Sequence, residues 1–232
     1  MQNPRDPKAM AKSLRQTLAE RRVDISHSDS LECVARQLGW RDWNTLAAQL
    51  DRPALTLPEG WTAGGTHRDD YEMGVDPAEG CALIRYRIAL IEPMPANLRS
   101  GYGALEQNFR AEDYRGKRLE LSAQLKAHEV TGAAALWMRI DGERGRMLAF
   151  DTMDGRTSEG PLVGTVGWQE RSIVMDVPPE AQSIHFGFFL RGSGSAWARR
   201  FRFTEVDASR PVTDHAVPRR SAPTNLDFAA VA

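Results

Sequence analysis

Trp137, Arg139 and Asp141 stand two residues apart in the run AALWMRIDG. In an extended strand that spacing turns all three side chains to one face. An aromatic ring, a guanidinium and a carboxylate on one face suit a ligand groove. The ring stacks on the face of a sugar or similar ring, and the ions orient polar groups. Asp151 lies in the next run, MLAFDTM, and approaches Arg139 if the two runs pair antiparallel through the turn DGERG. Gln107, Tyr114 and Trp168 are further candidates for the same surface. The same pattern also fits a tryptophan filling a second packing layer beside a structural ion pair, so strand pairing decides between the two.

Other chemistries find less support. The histidines are His27, His67, His128, His185 and His215, and they form no HxH, HxxxH or HExxH pair. No metal site and no cofactor are expected, and the acids around His67 (Asp69, Asp70, Asp76) read as a solvated loop. RGSGS at 191–195 has the look of a hairpin tip rather than a nucleophile elbow. Neither Gly101-Tyr102-Gly103 nor Gly192-Ser193-Gly194 opens a helix that could cradle phosphate. Cys33 is expected inside, on the apolar side of a short helix, and Cys81 at the start of a strand, both reduced. No catalytic residue is assigned.

These side chains must be held by strands. Short apolar runs near 61–65, 70–75, 81–91, 117–127, 133–141, 147–153, 168–177, 183–191 and 195–206 are separated by turn residues. The one stretch among them with room for a helix is 101–113. Many short strands without intervening helices predict a mainly β, antiparallel jelly-roll β-sandwich. The first fifty residues read differently. Pro7 opens a helix carrying Ala11, Leu14 and Leu18. Ser28 or Ser30 caps a second helix with Leu31, Val34, Ala35 and Leu38 on one side and Gly39 at its end. Asp42 caps a third. The expected organisation is a three-helix module over 1–52, a linker over 53–60, the sandwich over 61–207 and a disordered tail over 208–232.

Bulk properties narrow the partners. The chain of 232 residues carries 30 basic and 31 acidic residues, and 41% of it is hydrophobic. That balance disfavours DNA and anionic membranes as partners, although Lys8, Lys12, Arg15, Arg21 and Arg22 cluster in the first helix. No apolar run is long enough to span a membrane, and MQNPRDPKAMAK lacks the apolar core of a secretory signal. A cytoplasmic protein that binds a small molecule or a protein partner is expected.

Two resemblances add to this. Ile25-Ser26-His27-Ser28, Leu31-Glu32, Leu38-Gly39-Trp40 and Asp42-Trp43-Asn44-Thr45-Leu46 resemble the small helical module called glyoxalase-related. That name implies a glyoxalase-type lyase or isomerase as the remotest reading. Tyr114 to Arg118, Leu136 to Gly142, Phe150 to Met153, Gly164 to Trp168 and Asp176-Val177-Pro178 resemble a bacterial jelly-roll domain often found behind AraC-type regulators. The resemblance implies a fold like that of galactose-binding and carbohydrate-binding modules, and a transcription-associated role as the alternative to plain binding. Many such jelly rolls place an acid pair after a late aromatic to hold calcium. Here Arg199-Arg200 follow Trp197, so no calcium is expected there.

Overall fold

The computed structural model describes residues 6–50, 54–87, 101–156 and 158–213. Three helices lead: α1 (Pro7–Glu20), α2 (His27–Gln37) and α3 (Trp43–Leu50). Each start has a chemical cause. Asp6 accepts the Lys8 N–H at 2.9 Å, and Pro7 follows with its φ already set for a helix. Ser26, not Ser28 or Ser30, caps α2 by accepting the Asp29 N–H at 3.0 Å. Ser30 lies inside the helix, buried, with its hydroxyl donating to the His27 carbonyl. Because Ser30, Val34 and Ala35 form the buried side of α2, Cys33 is turned to solvent, contrary to expectation. Gly39 ends the helix at φ +81, as its position implied. Asp42 accepts both the hydroxyl and the N–H of Thr45, and with Arg41 alongside these bonds hold its carboxyl down to about 2.

Among the described residues nine strands follow: β1 (Thr62–Gly64), β2 (Tyr71–Asp76), β3 (Cys81–Tyr86), β4 (Tyr102–Arg110), β5 (Arg118–Asp141), β6 (Met147–Asp151), β7 (Leu162–Asp176), β8 (Ser183–Arg191) and β9 (Ser195–Val206). All of their pairings are antiparallel. Residues 101–113 form β4 and a short 3-10 turn rather than a helix. The runs 117–127 and 133–141 are one continuous strand, β5. Residues 88–91 of an expected strand, residues 51–53 and the tail from 214 lie outside the described residues.

β5 organises the sandwich. Its first half pairs with β7 and β9, and its second half with β6 and β8. One layer is therefore β1-β4-β8-β5-β6, and the opposite layer is β2-β3-β9-β5-β7. The two meet through aromatic rings on segments that are not paired with each other: Phe186 on Phe203 at 4.8 Å, Phe109 on Phe203 at 5.0 Å and Trp61, just before β1, on Phe201 at 5.1 Å between centroids. Most of these rings meet edge to face, the arrangement their quadrupoles favour. RGSGS is consequently a crossing between layers and not a hairpin tip, since β8 and β9 do not pair. Residues 54–60 follow the sheet edge, with Thr56 bridged to Val75 and the Leu55 N–H donating to Glu72.

The inward side of β5 changes parity along its length. Leu119, Leu121, Ala123, Leu125 and Ala127 point in, whereas farther on it is Ala134, Leu136, Met138 and Ile140. A strict two-residue period cannot do this, so one extra residue must be absorbed between them. The pairing with β7 slips repeatedly between Leu125 and Ala134, and Glu129 in that stretch has φ +53. Its N–H donates to Thr165 Oγ1, and Gly194 packs against its carbonyl so closely that a Cβ there would lie 2.5 Å away.

At the other end of the sandwich, Asp151 is buried and accepts from the Met153 N–H, the Thr213 hydroxyl and the Arg156 guanidinium. Arg156 also donates to the Ser172 carbonyl, and Thr213 pairs with Val174. Residues 208–213, read from composition as the start of a loose tail, are thus tied to β6 and β7. Two outcomes are expected in thermal melts. Glu129→Val lowers stability by about 1–3 kcal/mol because a β-branched residue resists positive φ, while Glu129→Gly does not; equal loss in both variants would refute the strained switch. Asp151→Ala, which strands a buried guanidinium, lowers stability by about 3–5 kcal/mol, and an unchanged melt would show that the buried pair does not hold this end together.

Candidate functional site

The outward face of the β1-β4-β8-β5-β6 layer is a groove. Strand register arranges its residues in rows. Ala104, Phe189 and Ala135 lie across from one another, then Glu106, Gly187 and Trp137, then Asn108, His185, Arg139 and Phe150. Gly187 is the floor between Glu106 and Trp137. A Cβ there would sit 2.0 Å from the Leu105 carbonyl oxygen, so only glycine lets β8 and β4 approach this closely.

A hollow of about 380 Å³ is lined by Tyr102, Glu106, Trp137, Phe150, Asp154 and Arg191, among others. A second, of about 260 Å³, shares Glu106, Trp137 and Arg139 and runs on to Asn108, Asp141 and His185. Together they extend along the strands from Tyr102 to Asn108, a run of roughly 20 Å at the usual strand rise. Trp137 is half-buried and forms a wall of both hollows. Among the described residues it is thus neither swallowed by the core nor covered by a further layer.

Most charges in the groove are matched within the chain. Arg139 donates through Nε to Asp141 at 2.6 Å and through its terminal nitrogen to the Gly145 carbonyl. Asp141 is buried and has His185 Nε2 3.6 Å from its other oxygen. Arg191 donates both terminal nitrogens to Asp154, at 3.1 and 3.3 Å, and its guanidinium lies 6.0 Å from the Phe189 ring centre. Ser183 Oγ is 3.0 Å from His185 Nε2. Serine, histidine and aspartate therefore meet here, but serine and aspartate address the same ring nitrogen. A nucleophilic relay needs them on opposite nitrogens. Among the described residues no group of three or more His, Cys, Asp or Glu side chains is placed to hold a metal ion.

The candidates named from sequence divide clearly. Trp137, Arg139 and Asp141 share the groove, and Gln107 lies at its far end with its amide donating to the Gly60 carbonyl. Asp151 does not join them. Its register opposite Met138 puts it on the inward side of β6, where Arg156 neutralises it. Arg139 is instead opposite Phe150 and takes Asp141 as its partner. Tyr114 packs edge-on against Phe109, which contacts the interlayer rings, and is likewise outside the groove. Trp168 is on the opposite layer, 3.9 Å from the Arg199 guanidinium carbon that stacks on it. The groove residues missed from sequence lie mainly on β4 and β8. The alternation of Tyr102, Ala104, Glu106 and Asn108 against Leu105 and Phe109 was the available signal, interrupted by Gly101 and Gly103.

Among the described residues no helix is long and apolar enough to cross a membrane. Comparison with known proteins gives three findings. The family described as "Glyoxalase superfamily protein" matches residues 1–74, which contain the three helices. Over 175 residues the chain is 35% identical to an uncharacterized HTH-type transcriptional regulator, YbfP, of Bacillus subtilis strain 168. That alignment takes in 73% of this chain but only 56% of the relative's length. Among solved structures, the enzymatically active domain of bacteriophage CBA120 tailspike protein 4 aligns with a TM-score of 0.44 at 14% identity, over 64% of this chain and 20% of that one. The CBM22-1 xylan-binding domain from Paenibacillus barcinonensis aligns with a TM-score of 0.43 at 11% identity, over 67% of this chain and 91% of that one.

Proposed function

We propose that this protein is a non-catalytic binding protein whose sandwich, residues 61–207, receives a small carbohydrate-like ligand in the groove. Residues 1–52 form a separate helical unit joined to it through 53–60. The observation that carries this reading is Trp137, half-exposed along an open groove whose floor at Gly187 has no side chain. An indole face offers apolar area to a ring, and the polar groups around it fix the ring's orientation. Arg139 and Asp141 enter as a preformed pair, which keeps the guanidinium in place before a ligand arrives. Asp151 and Tyr114 support the frame and make no contact with the ligand.

A screen of neutral and charged sugars by thermal shift, followed by titration of tryptophan fluorescence, tests the reading. Trp137→Ala weakens the best ligand by at least about tenfold, in line with the loss of one stacked aromatic contact. A ligand whose stabilisation survives that substitution unchanged would place the site elsewhere.

A second reading has its own observation. Lys8, Lys12 and Arg15 are exposed on α1 and, with His27, line a hollow of about 530 Å³. The relative bearing a transcription regulator's name makes nucleic acid the partner to test there. If these cations meet phosphates, duplex binding weakens steeply with salt, and replacing Lys12 and Arg15 by alanine lowers the log–log salt slope by about 2. No binding at low salt would remove this reading.

A further inference from the structure

Among the described residues, Glu106 is the groove carboxylate left without a cationic partner. Arg139 is paired with Asp141 through Nε and donates from one terminal nitrogen to the Gly145 carbonyl, and Arg191 is paired with Asp154 through both terminal nitrogens. Glu106 lines both hollows, and no side chain of the described residues donates to its carboxylate. Its setting is made by two glycines. Gly187 lies directly across on β8. On the other side Gly64 of β1 leaves the space the carboxylate occupies, since a Cβ at Gly64 would sit 2.8 Å from its oxygen. The carboxylate lies over Gly64, and two strand spacings (about 10 Å between backbones) separate Glu106 from Trp137. Asn108, one row farther along the same strand, adds an uncharged amide.

We propose that Glu106 determines the class of ligand: it accepts two adjacent hydroxyls of a neutral sugar stacked on Trp137 and rejects sugars that carry a carboxylate. An ionised carboxylate has only acceptors, so it is satisfied by O–H donors, and a diol supplies two at the spacing of its oxygens. A uronic acid in the same place brings a second negative charge into a partly dehydrated slot, where like charges disfavour each other. The nearby guanidiniums do not offset this, because each already has a carboxylate partner, Arg139 with Asp141 and Arg191 with Asp154, and so brings no net positive charge to the slot. The inference rests on the groove being the ligand site.

The test uses the full chain and isothermal titration with neutral oligosaccharides and uronic-acid oligosaccharides of matched length. The unmodified protein favours the neutral set by about tenfold or more, the range expected for a charge-assisted hydrogen-bond pair. Glu106→Gln keeps the melting temperature, weakens neutral sugars by about tenfold and narrows the gap to the uronic acids. A uronic acid that binds the unmodified protein as tightly as its neutral counterpart overturns the proposal, and so does a Glu106→Gln variant with unaltered affinities. If Trp137→Ala abolishes binding while Glu106→Gln changes nothing, only the role of Glu106 falls. If neither substitution matters, or if neither sugar class binds, the groove reading falls with it.

Discussion

The positive φ of Glu129 sets which side of β5 faces water in each half of the strand. Upstream of it, odd-numbered residues face the core; downstream, even-numbered ones do. Without the inserted residue, Trp137, Arg139 and Asp141 would enter the interior, and Leu136, Met138 and Ile140 would face solvent. That arrangement would bury an ion pair and expose aliphatic side chains, both unfavourable. Strain at one residue is therefore tolerated because the layers on both sides of it gain consistent burial. The same irregularity lets a single strand serve both layers, so the groove wall and the opposite sheet are covalently continuous.

The groove's shape follows from what lies beneath it. Phe186 and Phe188 of β8 fill the interlayer space on one side of the strand, and on its other side β8 offers Gly187 and His185. Large rings below and the absence of a side chain at Gly187 above keep the floor low in the row between Glu106 and Trp137. The walls come from strands on either side of β8, with Glu106 on β4 and Trp137 on β5. The matched ion pairs at the ends, Arg191 with Asp154 and Arg139 with Asp141, hold long side chains that would otherwise sample many rotamers. A ligand entering such a site meets groups whose ordering has already been accomplished by folding.

Much of the β architecture was legible because burial on a pleated sheet imposes a period of two. Leu136, Met138 and Ile140 alternate with Trp137, Arg139 and Asp141, which marks a strand with one aliphatic side turned to the core. Caps were equally local: Asp42 and Gly39 act where their chemistry suggested. Asp151 was misassigned because its distance from Arg139 depends on register, and one step of register turns a side chain from groove to core. Glu106 went unseen because glycines around Tyr102 broke the apolar alternation on which strand recognition relies. The role of Gly187 could not be read at all, since nothing in FGFF distinguishes a flexible glycine from one demanded by a neighbouring backbone.

Local spacing alone determined that Trp137, Arg139 and Asp141 share a face, that the chain is mainly antiparallel strand, and that helices precede it. These follow from backbone geometry over a few residues. Which face is the groove, which acid partners Arg139, and which carboxylate is left for a ligand were decided only when β4, β8 and β5 came side by side. Those are contacts between residues far apart along the chain. Their energies depend on register and packing between layers, quantities that no single strand contains.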